Sequence, residues 1–456
     1  MSNPGETDST PIASVRQMAD YLAAGGKPPE AFRIGTEHEK FGYRCGSHLP
    51  PAYEPEGIRA LLERLAERIG GDLIFDGEHP IGLIQPDGAA LSLEPAGQFE
   101  LSGAPVADLH ATRTELDRHL AASRAAAAEL GFGFAGLGFH PTARREQMPW
   151  MPKSRYAIMR GYMPKRGGMG LDMMTRTCTV QVNLDFASEA DMVRKLRVGL
   201  ALQPVATALF ANSPFTDGRP NGYLSWRAHV WTDTDPDRSG IPSVFFEDGF
   251  GFERYAQWVT EQVPMYFVHR AGGYIDMAGR SFADFRAGKL AATGAGEATM
   301  GDFADHITTV FTDVRLKRFL EMRGADAGSA EMMVAQSAFW VGLLYDEAAL
   351  AAAEALVRQA PWQDFAALRE SVARQALGAP WKSGTVRDLA RAALAIARDG
   401  LAARARRNPA GEDERIHLAP LEELVAGGPT QAERWLERYH GAWQGDLTRI
   451  FGEAAL

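Results

Sequence analysis

The chain has 456 residues, 45% of them hydrophobic, and a formal net charge of −10 with a pI near 5.6. That length allows one large domain or two to three small ones, and the acidity argues against nucleic acid or an anionic membrane surface as a partner. No apolar run reaches the ~18 residues of a membrane span, and the two cysteines, Cys45 and Cys178, fit a reducing compartment.

The first predicted element is RIGTEHEKFGY, residues 33–43. On a strand, side chains alternate faces, so Glu37 and Glu39 share one face while Thr36, His38 and Lys40 take the other. Two carboxylates roughly 7 Å apart repel unless water or a cation lies between them. Residues 57–69 read as a helix with a stripe of Ile58, Leu61, Leu62, Leu65 and Ile69, stopped by Gly70-Gly71. The stretch from Ile74 to Gly103 is divided by DG, PDG and PAG turns, which predicts antiparallel hairpins. Residues 106–130 read as a helix. GFGFAGLGF at 131–139 contains G-x-G-x-x-G, but a helix precedes it where a dinucleotide site needs a strand, so a glycine-rich strand is expected.

The basic stretch MPKSRYAIMRGYMPKRGGMG spans residues 151–170. A strand is expected over 175–186, with Thr177, Thr179, Gln181, Asn183 and Asp185 on a polar face and Cys178, Val180, Val182, Leu184 and Phe186 on an apolar one. A helix follows over 188–212, opened by Ser188 and Asp191. Beyond residue 330 the chain turns alanine-rich and helical. Strands followed by helices, without regular alternation, indicate an α+β fold with an antiparallel sheet. One domain is expected: a flexible N-terminus over about 1–20, a sheet-rich core over 20–330 and a mainly helical part over 331–456.

Carboxylates cluster on the predicted strands or at their ends: Glu37, Glu39, Glu94, Glu100 and Glu321. A sheet face bearing them suits hard cations such as Mg²⁺, which often share their oxygen ligands with phosphates; a merely solvated polar face is the competing reading. Lys153, Arg155, Arg160, Lys165 and Arg166, with the glycines after them, could neutralise phosphate, or belong to a surface loop. Arg227, flanked by Trp226, His229 and Trp231, suits a bidentate grip on a carboxylate; Arg323 follows Glu321 on one strand face. For each arginine the alternative is a structural ion pair. No H-E-x-x-H, G-x-S-x-G, Walker loop or zinc spacing occurs.

IGTEHEKFGY, SLEPAGQFELSGAP, YAIMRGYMPKRGGMGLDMMTRTCTVQVNLDF, LALQPVATALFANSPF, SWRAHVWTDTDPDR and RLKRFLEMRGAD, with FWVGLLYD after them, together resemble the glutamate–cysteine ligases of the plant and proteobacterial type. The resemblance implies a glutamine-synthetase-like catalytic fold, with a concave antiparallel sheet backed by helices. It implies ligation of the L-glutamate γ-carboxylate to the L-cysteine amine through a γ-glutamyl phosphate, using ATP and two or more Mg²⁺ ions, the first step of glutathione synthesis. Carried over by motif, Glu37, Glu39, Glu94, Glu100 and Glu321 become the metal-ligand pool, and Lys153, Arg155 and Arg160 the nucleotide-phosphate contacts. Arg160, Arg227 and Arg323 become the catalytic cations, and Gln181, Asn183, Arg227 and Tyr266 the substrate contacts. A cytoplasmic monomer or homodimer is expected, without nucleic-acid or membrane partners. Met277 and Ala292 stand where plant members carry a regulatory cysteine pair, and AGSAEMM replaces the family's G-P-W run near Ala330. Two alternatives stay open: a γ-glutamyl ligase acting on another amine, and a non-catalytic relative that binds Mg²⁺ or an amino acid.

Overall fold

The computed structural model describes residues 8–271 and 273–456. The alternating segment at Ile34–Arg44 (β1) is a strand of 11 residues and the centre of the molecule. Around it lie β2 (Asp72–Asp76), β3 (His79–Ile84), β4 (Ala90–Leu93), β5 (Phe99–Ser102), β6 (Phe132–Ala135), β7 (Thr179–Leu184), β8 (Val314–Leu316) and β9 (Leu320–Asp326). They form one sheet in the order β8–β9–β7–β1–β5–β4–β3–β2, with β6 beside the second half of β1. Every neighbouring pair is antiparallel. The expected hairpin series is β2 to β5. Its last turn needs Gly97, whose φ of +83° suits glycine and whose added Cβ would lie 3.2 Å from Met151 Cε.

The two faces of β1 part as alternation requires. Behind the sheet, Thr36 Oγ1 lies 3.1 Å from Ser337 Oγ, and Lys40 Nζ lies 2.6 Å from His119 Nε2. These partners sit on the helices Ala330–Leu344 and Leu109–Glu129. Ala330–Leu344 covers β7, whose Val180, Val182 and Leu184 are fully buried, and Glu189–Leu209 covers β9. Side chains capped these helices as their sequences suggest: Asp108 accepts from Ala111 N, and Ser188 from Asp191 N. One apolar cluster runs from Ile12 to Leu456 and joins sheet and C-terminal helices. Burying apolar area at that scale is what fixes the sheet to its helical backing.

Three local expectations change. Residues 154–162 form a helix, which sets aside the alternative of a surface loop there, and Ser154 N donates to Asp76 Oδ2 at its start. The strand expected over 175–186 is shorter, because the helix Gly170–Arg176 runs into its first residues. The expected flexible N-terminus is partly ordered: Val15–Ala23 is a helix capped by Ser14, while residues 1–7 lie outside the described residues. Both cysteines are free; Cys178 is buried and its thiol is pushed up by burial, as an inert core cysteine should be.

Buried histidines, His38, His119, His140 and His306, give the fold an acid limit, and the last two illustrate it. Burial lowers His140 to about 3 and His306 to about 4, and the Arg176 guanidinium adds to the first. Both are neutral in the folded chain. Below about pH 6.5 only the unfolded chain takes up their protons, so stability falls as pH drops from 6.5 towards 4. His306→Gln, which keeps a donor for the Val259 carbonyl, is expected to flatten the melting-temperature slope between pH 7 and 5 relative to wild type. Parallel slopes would show that His306 carries none of it.

Candidate active site

The other face of the sheet floors an open cleft of about 870 Å³, counting the solvent space at its mouth. Register decides what gathers there. Glu39 of β1 stands directly opposite Glu100 of β5, and Glu37 stands between Ser102 and Gln181. Side chains so paired start about 5 Å apart. The closest crowding of carboxylates is therefore across strands, not along β1. Glu94, at the turn after β4, lines the same cleft. Arg155, Arg227, Arg315 and Arg323 line it too, with Arg155 near Glu94, Arg227 near Glu39 and Arg323 near Glu37, and Met173, Met174, Phe267 and Phe311 form apolar walls.

Burial, then the charges of Glu94 and Glu100, pushes Glu39 well above the usual carboxylate range. Burial, with Glu37 and Glu94, raises Glu100 to about 7. Hard oxygen donors crowded on adjoining strands fit a divalent cation, which would relieve that repulsion. Among the described residues, no three His, Cys, Asp or Glu side chains converge as closely as a bound ion would draw them. The carboxylates are instead held by the protein's own donors. Glu37 accepts from Asn183 Nδ2 at 2.9 Å, Glu39 from Thr179 N at 2.9 Å and Glu100 from Ser102 Oγ at 2.6 Å.

Arg227 is the second residue of the short helix Trp226–Val230 and is 3% exposed. Its Nη2 donates to the Arg323 carbonyl at 3.0 Å, and its Nε has no partner within the protein. Of its expected flanking rings only Trp231 lines the cleft; Trp226 and His229 pack on Tyr223. Arg323 Nη1 donates to Gln181 Oε1 at 2.7 Å, which fixes that amide. Arg155 lines the cleft from the helix Ser154–Tyr162.

Several expected site residues lie elsewhere. Glu321 is fully buried in a cage of cations: Arg315 at 2.7 Å, Lys317 at 2.8 Å and Arg323. Against the cost of burial, these three hold its carboxyl well below the usual range. Its oxygens are committed, and it does not line the cleft. Arg160 is exposed and stacks on Trp150 at 4.4 Å in a separate outer cleft, because its helix turns that side chain away. Lys153 borders the same outer cleft and is buried; burial and Arg155 lower its ammonium to about 7. Tyr266 is a core residue under the Arg238 guanidinium, 3.8 Å from its ring, with its hydroxyl 3.5 Å from Asp235 Oδ2. Asn183 supports Glu37 and is not part of the cleft wall. Missed from sequence were Arg315, Thr308, Thr309 and Phe311 of the cleft wall. Alternating charge in VRLKRFLEMR was the available signal for Arg315, which stands opposite Glu321 across the β8–β9 hairpin.

Residues 33–453 match the pattern of glutamate–cysteine ligase family 2 (GCS2). The chain is 50% identical to the chloroplastic glutamate–cysteine ligase of Medicago truncatula over 440 residues, covering 96% of this chain and 84% of the relative. It is 50% identical to that of Nicotiana tabacum over 433 residues, 95% of this chain and 81% of the relative. A crystal structure of glutamate–cysteine ligase from Francisella tularensis in complex with AMP shares the fold with a TM-score of 0.54 at 10% identity, covering 93% of this chain and 89% of that one. The expected cytoplasmic location is corrected by these relatives, which are chloroplastic enzymes. Few cysteines indicate a reducing compartment and do not distinguish cytosol from plastid. With the family pattern spanning nearly the whole chain and the charged cleft at the centre of that span, the chain belongs to the glutamate–cysteine ligase family.

Proposed function

We propose that this cleft joins the γ-carboxylate of L-glutamate to the amine of L-cysteine with consumption of ATP, the first step of glutathione biosynthesis. One observation carries the reading at the level of the site: a single cleft sets four carboxylates against four guanidinium groups. Relatives about 50% identical over most of the chain, bearing that enzyme name, support it.

A carboxylate is a poor electrophile towards an amine. Transfer of the ATP γ-phosphoryl group to the glutamate γ-carboxylate creates a γ-glutamyl phosphate; the cysteine amine then attacks the acyl carbon and phosphate leaves. The obstacle is bringing one anion to another. Glu37, Glu39, Glu94 and Glu100 would hold Mg²⁺, which supplies charge neutralisation at phosphate oxygens. Arg155 and Arg323 neutralise phosphate. Arg227, buried with an unpartnered Nε, grips a substrate carboxylate or the transferred phosphoryl group. Gln181, fixed by Arg323, orients the amino acid. Met173, Met174, Phe267 and Phe311 give the cleft apolar walls, which disfavour the water that would hydrolyse the acyl phosphate.

Incubating the protein with ATP, Mg²⁺, L-glutamate and a mixture of amino acids and amines, then identifying the product, tests this directly. γ-Glutamylcysteine with ADP is expected. A different γ-glutamyl amide would change the acceptor; binding of glutamate without ADP formation would end the catalytic reading. Arg227→Ala is expected to lower kcat/KM for one acidic substrate by about 100-fold, the cost of losing a buried charged donor. Loss of melting temperature with unchanged kinetics would make Arg227 a structural ion-pair residue.

A further inference from the structure

We propose that Asp326 is a positioning residue for Arg227, brought to the site by an irregularity in β9. The inference rests on the reading of Arg227 given above. Strand alternation alone would turn Asp326 to the helical side of the sheet. The β7–β9 register shifts between Met322 and Ala325: Met322 pairs with Val182, but Ala325 pairs with Val180. Arg323 and Gly324 together face Gln181, two residues against one, which is a β-bulge. The extra residue returns Asp326 to the cleft side, opposite Thr179.

The bulge is held in place. Gly324 N donates to Gln203 Oε1 at 2.9 Å, and Thr207 Oγ1 donates to the Gly324 carbonyl at 3.1 Å, both from the helix Glu189–Leu209. A Cβ on residue 324 would come within 2.2 Å of Gln203 Oε1, so a larger residue would have to push aside the amide that holds Gly324 N. The distorted strand meets Arg227 twice. The Arg323 carbonyl accepts from Nη2 at 3.0 Å, and Asp326 Oδ1 lies 4.0 Å from Nη1.

Asp326 also organises the backbone that presents Arg227. It is 1% exposed. Its Oδ2 accepts from Asn212 N at 2.9 Å and Ser213 Oγ at 2.7 Å, and its Oδ1 from Ser225 Oγ at 2.9 Å. Ser213 Oγ in turn accepts from Arg227 N at 3.1 Å, and Ser225 Oγ caps the helix that carries Arg227 by accepting from Ala228 N at 3.1 Å. One carboxylate thus fixes the main chain on both sides of Arg227 and supplies the charge nearest its guanidinium.

A double-substitution cycle of Asp326→Asn and Arg227→Lys tests the assignment, with steady-state constants for glutamate, cysteine and ATP and the melting temperature of each variant. Asparagine keeps the shape and loses the charge. Asp326→Asn is expected to lower kcat/KM by about 10- to 100-fold, as misplacement of a substrate-orienting group does. The loss should fall on the same substrate constant as that of Arg227→Lys, and the double variant should be no worse than Arg227→Lys within about threefold. Kinetics of Asp326→Asn within twofold of wild type, or losses that multiply in the double variant, would overturn the proposal. If Asp326→Asn does not fold, Ser213→Ala, which removes one link and leaves the carboxylate, must show a smaller loss in the same constant that vanishes beside Arg227→Lys. Should Arg227→Ala itself leave all constants unchanged, the reading of Arg227 fails; impairment there with an unaffected Asp326→Asn fails the positioning role alone.

Discussion

Glu39→Gln is expected to lower ligase kcat/KM by on the order of 100-fold or more while leaving the melting temperature of the metal-free protein unchanged or higher. The two effects have one cause. Glu39 stands opposite Glu100, close to Glu94, and burial with those charges pushes its carboxyl well above the usual range. A buried acid with a raised folded pKa is a net burden on the fold above about pH 4.5, because the unfolded chain ionises it freely. Glutamine removes that charge and can still accept from Thr179 N. The same charge is what a divalent cation would use, and replacing a carboxylate ligand removes both a bond and neutralising charge. Activity and melting temperature should therefore move in opposite directions, the pattern of a site tuned for function against stability. Kinetics near wild type at saturating Mg²⁺ would remove Glu39 from the ligand pool.

Local periodicity made much of this fold legible. The alternation in TEHEK placed Glu37 and Glu39 on one face, and that face is the cleft floor. The polar row Thr179 and Gln181 on β7 was equally readable, since each points where a period of two puts it. Helices 57–69, 106–130 and 188–212 were readable from apolar stripes, caps and terminal glycine, and each begins within three residues of the expected start.

What stayed hidden depends on contacts between distant segments. No local pattern states that Glu39 faces Glu100, because pairing of β1 with β5 is set by the core beneath them. The bulge at Arg323–Gly324 is invisible to a period of two, which by itself would put Asp326 on the back face. Arg160 was credited by motif, yet its side of the helix Ser154–Tyr162 faces an outer cleft. Tyr266 was credited as a pocket residue although the Arg238–Asp235 pair had claimed its ring and hydroxyl. In each case the residue type suited the chemistry, and tertiary packing decided whether it reached the site.

Glu321 shows the same division from the opposite side, and Glu321→Gln is expected to cost roughly 3–5 kcal/mol of stability, the range for breaking a buried ion pair. Three cations surround this carboxylate: Arg315 at 2.7 Å, Lys317 at 2.8 Å and Arg323. They keep its folded carboxyl well below the usual range, so its contribution is present above about pH 4.5 and lost only as pH falls through that lower value. At neutral pH a glutamine there leaves three positive charges in a nearly dry setting with no counter-charge between them. At about 1 °C per kcal/mol for a chain this long, the melting temperature should fall by roughly 3–5 °C. Activity should fall as well, because Arg323 and Arg315 would lose the anchor that aims them into the cleft. The contrast with Glu39→Gln is the useful result: the same chemical change at two glutamates of one sheet face should move stability in opposite directions. A Glu321→Gln protein that melts like wild type but is inactive would mean that this carboxylate serves a cation other than its three neighbours.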